Sequence, residues 1–405
     1  MKVRIFPSLA KGTLSAPPSK SFAHRYLIAS ALCPGESKLR PIDFSEDILA
    51  TIDCLQALGA KITPFADGVL VRGVGTQFSA EKTLCCRESG STLRFLIPLC
   101  LLTGETFALK GEERLLERPL SVYEALCRDK GFFFEKTEDT VTLSGKLTPG
   151  EYSLPGDISS QFITGLLFAL ATLEGDSTLK VLGRFESRSY VQITLSVLAK
   201  FGVKIRETED GFFVPGGQKF TPGEYGVEPD LSNAAFLEAF SYLGGQVFLE
   251  GLPENSLQGD GVYGAHFKAL SKGFCALDIA DTPDLAPILM AFAALFHGAK
   301  LTSTNRLAIK ESDRGKVMAE ELEKCGVKVL VEENSITVPG GCVTAPKKEI
   351  SSHNDHRIAM AMAVVLSKVG GVISGAQAVK KSFPSFFETI ETLGIQVEKN
   401  ETESK

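Results

Sequence analysis

The chain has no tryptophan, five histidines and five methionines among its 405 residues. The histidines fall without H-E-x-x-H or similar spacing and the nine cysteines without C-x-x-C, so no dedicated metal site and no cofactor is expected. Most cysteines lie in apolar segments and read as small core residues in a reducing compartment, with Cys85-Cys86 a structural pair. G-x-x-x-x-G-K-[ST] and a strand-flanked G-x-G-x-x-G are both missing, which weakens nucleotide readings. The most apolar segment, Leu285–Phe296, is too short to span a bilayer and reads as a buried helix. Met1–Pro7 has neither signal-peptide nor transit-peptide character. A net charge of −6, with no interleaving of aromatic and basic residues, argues against nucleic acid as a partner. What remains is a soluble cytoplasmic protein that acts on small molecules.

Glycine, by contrast, is plentiful and periodic. Six short apolar helices are expected through Ala23–Leu32, Leu93–Leu102, Phe162–Leu173, Ala234–Leu243, Leu285–Phe296 and Ile358–Leu366. Gly35, Gly104, Gly175, Gly244, Gly298 and Gly370 close them, at spacings of 69, 71, 69, 54 and 72 residues. A second series of amphipathic helices ends at Leu58-Gly59, Lys130-Gly131, Phe201-Gly202, Lys272-Gly273, Cys325-Gly326 and Leu393-Gly394, with glycine in the C′ place. One supersecondary unit is therefore used six times. Most copies continue into a hairpin, such as Val203–Arg206 with Phe212–Val214, or Val327–Val331 with Ser335–Val338. The fourth runs from Phe274 straight into Asp278–Asp284, which accounts for its short spacing. The sixth stops in a charged tail, Glu398–Lys405, and Lys2–Phe6 is the strand expected to complete it, bringing both termini into one domain. The length suits two domains of about 200 residues each.

The helix starts carry the polar chemistry. They read Ser19-Lys20-Ser21 with Arg25, Gly90-Ser91 with Arg94, Ser159-Ser160-Gln161, Asp230-Leu231-Ser232, Asp284, and Asp355-His356-Arg357. Taken singly, each is an ordinary N-cap. Together they offer free N–H groups and positive dipole ends to anions, with cations just inside. Pro17-Pro18 fixes the entry to the first helix and leaves Lys20 in its first turn, against the dipole, which suggests an anionic partner. Arg118, before Pro119, is expected to be extended, and as a surface-loop residue by default. Ser187 and Tyr190 precede another helix and add hydroxyls. Asp284 is either a cap on the most buried helix or a base shielded from water. Lys20, Arg25, Arg118, Lys310, Arg314, Arg357 and Lys381 make seven cations at element edges, a set fitting substrates that bear phosphates and carboxylates.

The motifs Pro-Pro-Ser-Lys-Ser…His-Arg, Ser-Gly-Ser-Thr-x-Arg, Glu-Arg-Pro, Ser-Ser-Gln, Pro-Asp-Leu-Ala-Pro, Lys-Glu-Ser-Asp-Arg, Asp-His-Arg and Lys-x-Phe-Pro resemble, end to end, the 5-enolpyruvylshikimate-3-phosphate synthase family. The resemblance implies an α/β, two-domain enolpyruvyl transferase fold, an inside-out α/β barrel built from six βαβαββ repeats. It also implies a domain of residues 1–18 and 228–405, an inserted domain of 19–227, and hinge crossovers near 15–19 and 227–230. The implied activity moves the enolpyruvyl group of phosphoenolpyruvate to the 5-hydroxyl of shikimate 3-phosphate, in a monomer that closes like a clamp. By motif, Lys20, Ser21, Arg25, Ser159, Ser160, Gln161, Ser187, Asp284 and Lys310 would hold shikimate 3-phosphate. Lys20, Gly90, Ser91, Arg118, Gln161, Arg314, Arg357 and Lys381 would surround phosphoenolpyruvate. Asp284 and Glu311 would handle protons with help from Lys20: Asp284 as base for the attacking hydroxyl, Glu311 or Lys20 toward the methylene carbon. The family's inhibitor glyphosate would compete beside Gly90.

Four positions depart from the family pattern: Ser189 for proline, Asn233 for serine, Arg306 for an asparagine of some relatives (Asn305 is its neighbour), and Glu88 for another asparagine. The related transferase acting on UDP-N-acetylglucosamine would show asparagine after the first-motif lysine, where this chain has Ser21. A non-catalytic phosphate-binding protein with a decayed site is disfavoured because Asp284, Glu311 and Lys20 are all present.

Overall fold

The computed structural model describes residues 1–78, 81–341 and 343–400. The chain forms two compact units, one of Pro18–Glu228 and one of Met1–Pro17 with Pro229–Lys405. Each has its own apolar core.

In the Pro18–Glu228 unit a single pattern recurs three times. A strand leads into a buried helix, a second strand lies parallel to the first, an outer helix follows, and a hairpin adds two antiparallel strands. The middle copy shows it whole: Thr83–Cys85, helix Gly90–Cys100, Thr106–Lys110, helix Ser121–Lys130, then Phe133–Lys136 and Thr140–Ser144. The third copy repeats it from Glu151–Pro155 through helix Ser160–Leu170, Ser177–Leu182 and helix Arg188–Lys200 to a hairpin of Arg206–Glu207 and Gly211–Val214. The first copy has helix Lys20–Ala31 and Gly35–Arg40 but takes its leading strand, Glu224–Gly226, from the far end of the unit. The strands alternate buried and exposed residues, as in Thr106–Lys110, whereas the Ser160–Leu170 helix is buried almost all round. Helices therefore sit inside and sheets outside. Gly165 permits that helix to close on its neighbour: a Cβ there would lie 2.5 Å from the Arg94 carbonyl oxygen.

The other unit repeats the pattern twice in full. Cys275–Asp278, helix Ala286–Leu295, Ala299–Thr302, helix Arg314–Lys324 and the hairpin of Leu330–Val331 and Ser335–Val338 make one copy. Ile350–Ser351, helix His356–Val369, Gly371–Ser374 and helix Phe386–Thr392 begin the other. Lys2–Ile5 completes it, antiparallel to Gly371–Ser374 on one side and to Val397–Asn400 on the other. The remaining copy has helix Leu231–Tyr242 with, among the described residues, two parallel strands, Lys11–Ser15 and Gln246–Glu250.

Three expectations are corrected. Residues 398–400 belong to a strand rather than to a charged tail; Glu398 lies opposite Arg4, and the remainder of the tail falls outside the described residues. The strands expected at Val203–Arg206 and Val327–Val331 shrink to Arg206–Glu207 and Leu330–Val331. The N–H groups of Val203 and Val327 donate to Leu198 and Leu322 carbonyls, closing the preceding helices, so those residues cannot also serve a ladder. Among the described residues, no helix is long and apolar enough to cross a membrane.

Candidate active site

The Pro18–Glu228 unit gathers three of the polar helix starts. Ser19 caps the Lys20–Ala31 helix, accepting from the Phe22 N–H at 3.5 Å, and Lys20 is that helix's first residue. Its ammonium meets a carboxylate the sequence did not single out, Asp47, at 2.7 Å. Arg25, one turn on, is 3% exposed. It donates to the hydroxyls of Thr194 (2.8 Å) and Thr164 (3.4 Å) and to the carbonyls of Ser21 (2.7 Å) and Tyr190 (3.0 Å). Four of its five N–H groups are thus spent holding helices together. Tyr190 lies inside the Arg188–Lys200 helix; Ser187, ahead of it, is buried and left-handed (φ 53°).

The second and third starts are joined by a short relay. Arg94 donates to Gln161 Oε1 at 2.7 Å, and the Gln161 amide donates to Ser91 Oγ at 2.9 Å. Ser159 Oγ caps the Gln161 N–H at 3.3 Å, while Ser160 is buried. Gly90 opens its helix behind the Ser89 cap. Arg118 is extended as expected (φ −66°, ψ 145°), but it is buried and not a surface-loop residue. Its guanidinium lies against the Gly90 backbone. Beneath, a buried chain runs from His24 Nδ1 to the hydroxyls of Thr51 (2.8 Å), Thr92 (2.6 Å) and Ser89 (2.7 Å). Burial, then the Lys20 and Arg25 charges, hold the His24 imidazole well below its ordinary proton affinity, so it is neutral.

The other unit centres on Asp284. It sits in the Pro283–Leu285 turn ahead of the buried helix, and its side chain turns to cations rather than capping. Oδ1 accepts from Arg314 at 2.7 Å and faces Lys310 at 3.2 Å; Oδ2 meets Arg357 at 3.1 Å. Arg314 is 1% exposed and also pairs with Glu311 (2.6 Å) and Asp355 (2.9 Å). Asp355 caps the Arg357 N–H at 2.9 Å, and Arg357 donates to Ser232 Oγ at 2.6 Å. Lys381 donates to the Asn354 carbonyl at 2.5 Å. Arg306 is buried and donates to the Ala280 carbonyl, just ahead of Asp284.

Burial and neighbouring charges oppose each other in setting the charge states. Burial alone would raise the Asp284 carboxyl, but Arg357, Lys310 and Arg314 outweigh it and hold the group well below the usual carboxylate range. Burial pushes Lys310 down, partly offset by Asp284. Burial also works against Arg314, and Asp355, Glu311 and Asp284 overcome it. The motif positions therefore fall into two clusters, one per unit. Arg94, Asp355 and Ser232 were visible in the helix-start pattern without being chosen as site residues. Asp47 carried no signal beyond being acidic at a helix start.

The family model described as EPSP synthase (3-phosphoshikimate 1-carboxyvinyltransferase) matches residues 7–390. A 3-phosphoshikimate 1-carboxyvinyltransferase of Clostridium kluyveri is 39% identical, over 98% of both chains. One of Clostridium acetobutylicum is 38% identical over 98% of both. An EPSP synthase structure from Acinetobacter baumannii shares the fold, with TM-score 0.79 at 24% identity over 98% of this chain and 100% of that one.

Proposed function

The chain belongs to the EPSP synthase family, whose reaction passes the enolpyruvyl group of phosphoenolpyruvate to the 5-hydroxyl of shikimate 3-phosphate and releases phosphate in the shikimate pathway, and on that premise we propose how its residues divide the work. Lys20, Ser21, Arg25, Ser159, Ser160, Gln161, Ser187 and Lys310 bind shikimate 3-phosphate. Gly90, Ser91, Arg118, Gln161, Arg314, Arg357, Lys381 and Lys20 receive phosphoenolpyruvate. The observation that carries this reading is the convergence of Lys310, Arg314 and Arg357 on Asp284. Three cations about one carboxylate form a site that a phosphate or a second carboxylate can compete for.

That competition bears on the chemistry. While three cations hold it, Asp284 is a weak base. Anionic phosphoenolpyruvate draws Arg314 and Arg357 away and restores its basicity. Asp284 then accepts the 5-hydroxyl proton as the oxygen bonds to C2 of phosphoenolpyruvate. Glu311 or Lys20 protonates the methylene carbon. The methyl group so formed returns a proton to that base as the C2–O bond to phosphate breaks, releasing phosphate and leaving the enol ether. Each positioned proton-transfer group contributes roughly two to four decades of rate. In this reading the enzyme is a cytoplasmic monomer that needs neither metal nor cofactor.

Phosphate release from phosphoenolpyruvate, with and without shikimate 3-phosphate, tests it. Release should depend strictly on shikimate 3-phosphate and survive chelator. Equal turnover with UDP-N-acetylglucosamine, or loss of activity in chelator, would overturn it.

A further inference from the structure

The buried carboxylate of Glu321 has no part in the reading above. Glu321, on the same helix as Arg314, is 1% exposed. Its Oε2 accepts the Ser351 N–H at 2.9 Å, its Oε1 meets His353 Nε2 at 2.6 Å, and Lys324 Nζ lies 2.9 and 2.7 Å from the two oxygens. Glu320, Glu321 and His353 could between them offer ligand atoms to a metal. The Lys324 ammonium already compensates the buried charge, so the group acts as a clasp.

What it clasps is the turn that enters the Asp355-His356-Arg357 helix start. His353 and Asn354 are consecutive left-handed residues, φ 50° and 54°, a conformation disfavoured for residues with side chains. Ser351 Oγ accepts the His353 N–H (3.1 Å), Ser352 Oγ accepts the Asn354 N–H (3.2 Å), and the Ser352 carbonyl accepts the Asp355 N–H (2.9 Å). The turn delivers two groups. The Asn354 carbonyl receives Lys381, and the Asp355 carboxylate pairs with Arg314 and caps Arg357. Loosening the turn moves both.

We propose that Glu321, by gripping Ser351 and His353, is a positioning residue that sets Lys381 and Arg357 for phosphoenolpyruvate. The inference rests on the assignment of those two cations made above. A side chain two steps from the ligand acts by geometry, and an ångström of misplacement is costly.

The experiment measures initial rates of phosphate release for wild type, Glu321→Gln and His353→Asn, varying each substrate with the other saturating. Asparagine tolerates the left-handed conformation but cannot reach Glu321, and His353 is half-buried at the surface, so this variant answers if Glu321→Gln fails to fold. Both variants should raise KM for phosphoenolpyruvate about tenfold, with KM for shikimate 3-phosphate within about twofold and kcat within about threefold. An unchanged KM for phosphoenolpyruvate in the folded variants, or an equal rise for both substrates, would overturn the proposal. Absence of wild-type turnover would overturn the functional reading itself.

Discussion

Arg118 covers Gly90: a Cβ built on that glycine would lie 2.7 Å from the nearest guanidinium nitrogen and 3.0 Å from its central carbon. The helix start is open to the arginine because it has no side chain. Gly90→Ala therefore acts first on Arg118, whose flexible end must swing aside, and only through it on the ligand. KM for phosphoenolpyruvate should rise several-fold, and the glyphosate inhibition constant should rise more, since the longer ligand has less room to follow. Both constants, measured on both proteins, check this. An unchanged ratio would mean that the displacement of Arg118 does not reach the ligand.

Asp284→Asn should lower kcat by about two decades or more. The structure adds a cost in stability, since Lys310, Arg314 and Arg357 lose their shared counter-charge. The sign in pH follows from the depressed carboxyl. Its contribution is present above the unfolded value of about 4 and is lost as pH falls toward the folded one. The gap in stability between wild type and variant should therefore narrow from pH 5 to pH 3. Denaturant titrations at each pH decide, and a constant gap would refute the assignment.

His24 is held neutral by burial and by its cationic neighbours. Below about pH 6.5 the unfolded chain gains a proton there that the folded one refuses. Stability is full above that pH and falls as pH drops, by up to about 1.4 kcal/mol per pH unit from this group. His24→Asn lacks the component, so its unfolding free energy should change less between pH 6.5 and 5. Parallel slopes would show that His24 titrates normally when folded.

Arg314→Lys replaces a fork that reaches three carboxylates with a single ammonium. Lysine keeps the charge but leaves part of the buried network without a donor, so the change should destabilise by about 1–3 kcal/mol. The unfolding midpoint should partly recover at high phosphoenolpyruvate. A midpoint within a degree of wild type would mean that the network carries no net stabilisation.

The repeat was legible because glycine after an apolar run stops a helix for a local reason. Leu285–Phe296 corresponds to helix Ala286–Leu295, and Ile358–Leu366 lies within His356–Val369. Short edge strands were not, since a few alternating residues do not say where the previous helix's hydrogen bonds end, as at Val203 and Val327. For the candidate site, motifs identified residue types but not partners. Lys20 finds Asp47, 27 positions away, and Arg314 finds Asp355 across 41. Asp284 at a helix start reads locally as a cap; only the fold brings it to three cations.

Lys2–Ile5 is made long before its sheet neighbours, Gly371–Ser374 and Val397–Asn400. On the ribosome that strand waits with both edges bare while the residues between it and its partners are translated. All of Pro18–Glu228 can emerge and fold in the interval, but the unit containing Lys2–Ile5 cannot close until Val397–Asn400 has been made. Val3 and Ile5, fully enclosed at the end, are exposed throughout the wait. A nascent chain arrested before residue 371 should consequently keep Lys2–Ile5 accessible to protease or chaperone, while the inserted unit is already protected.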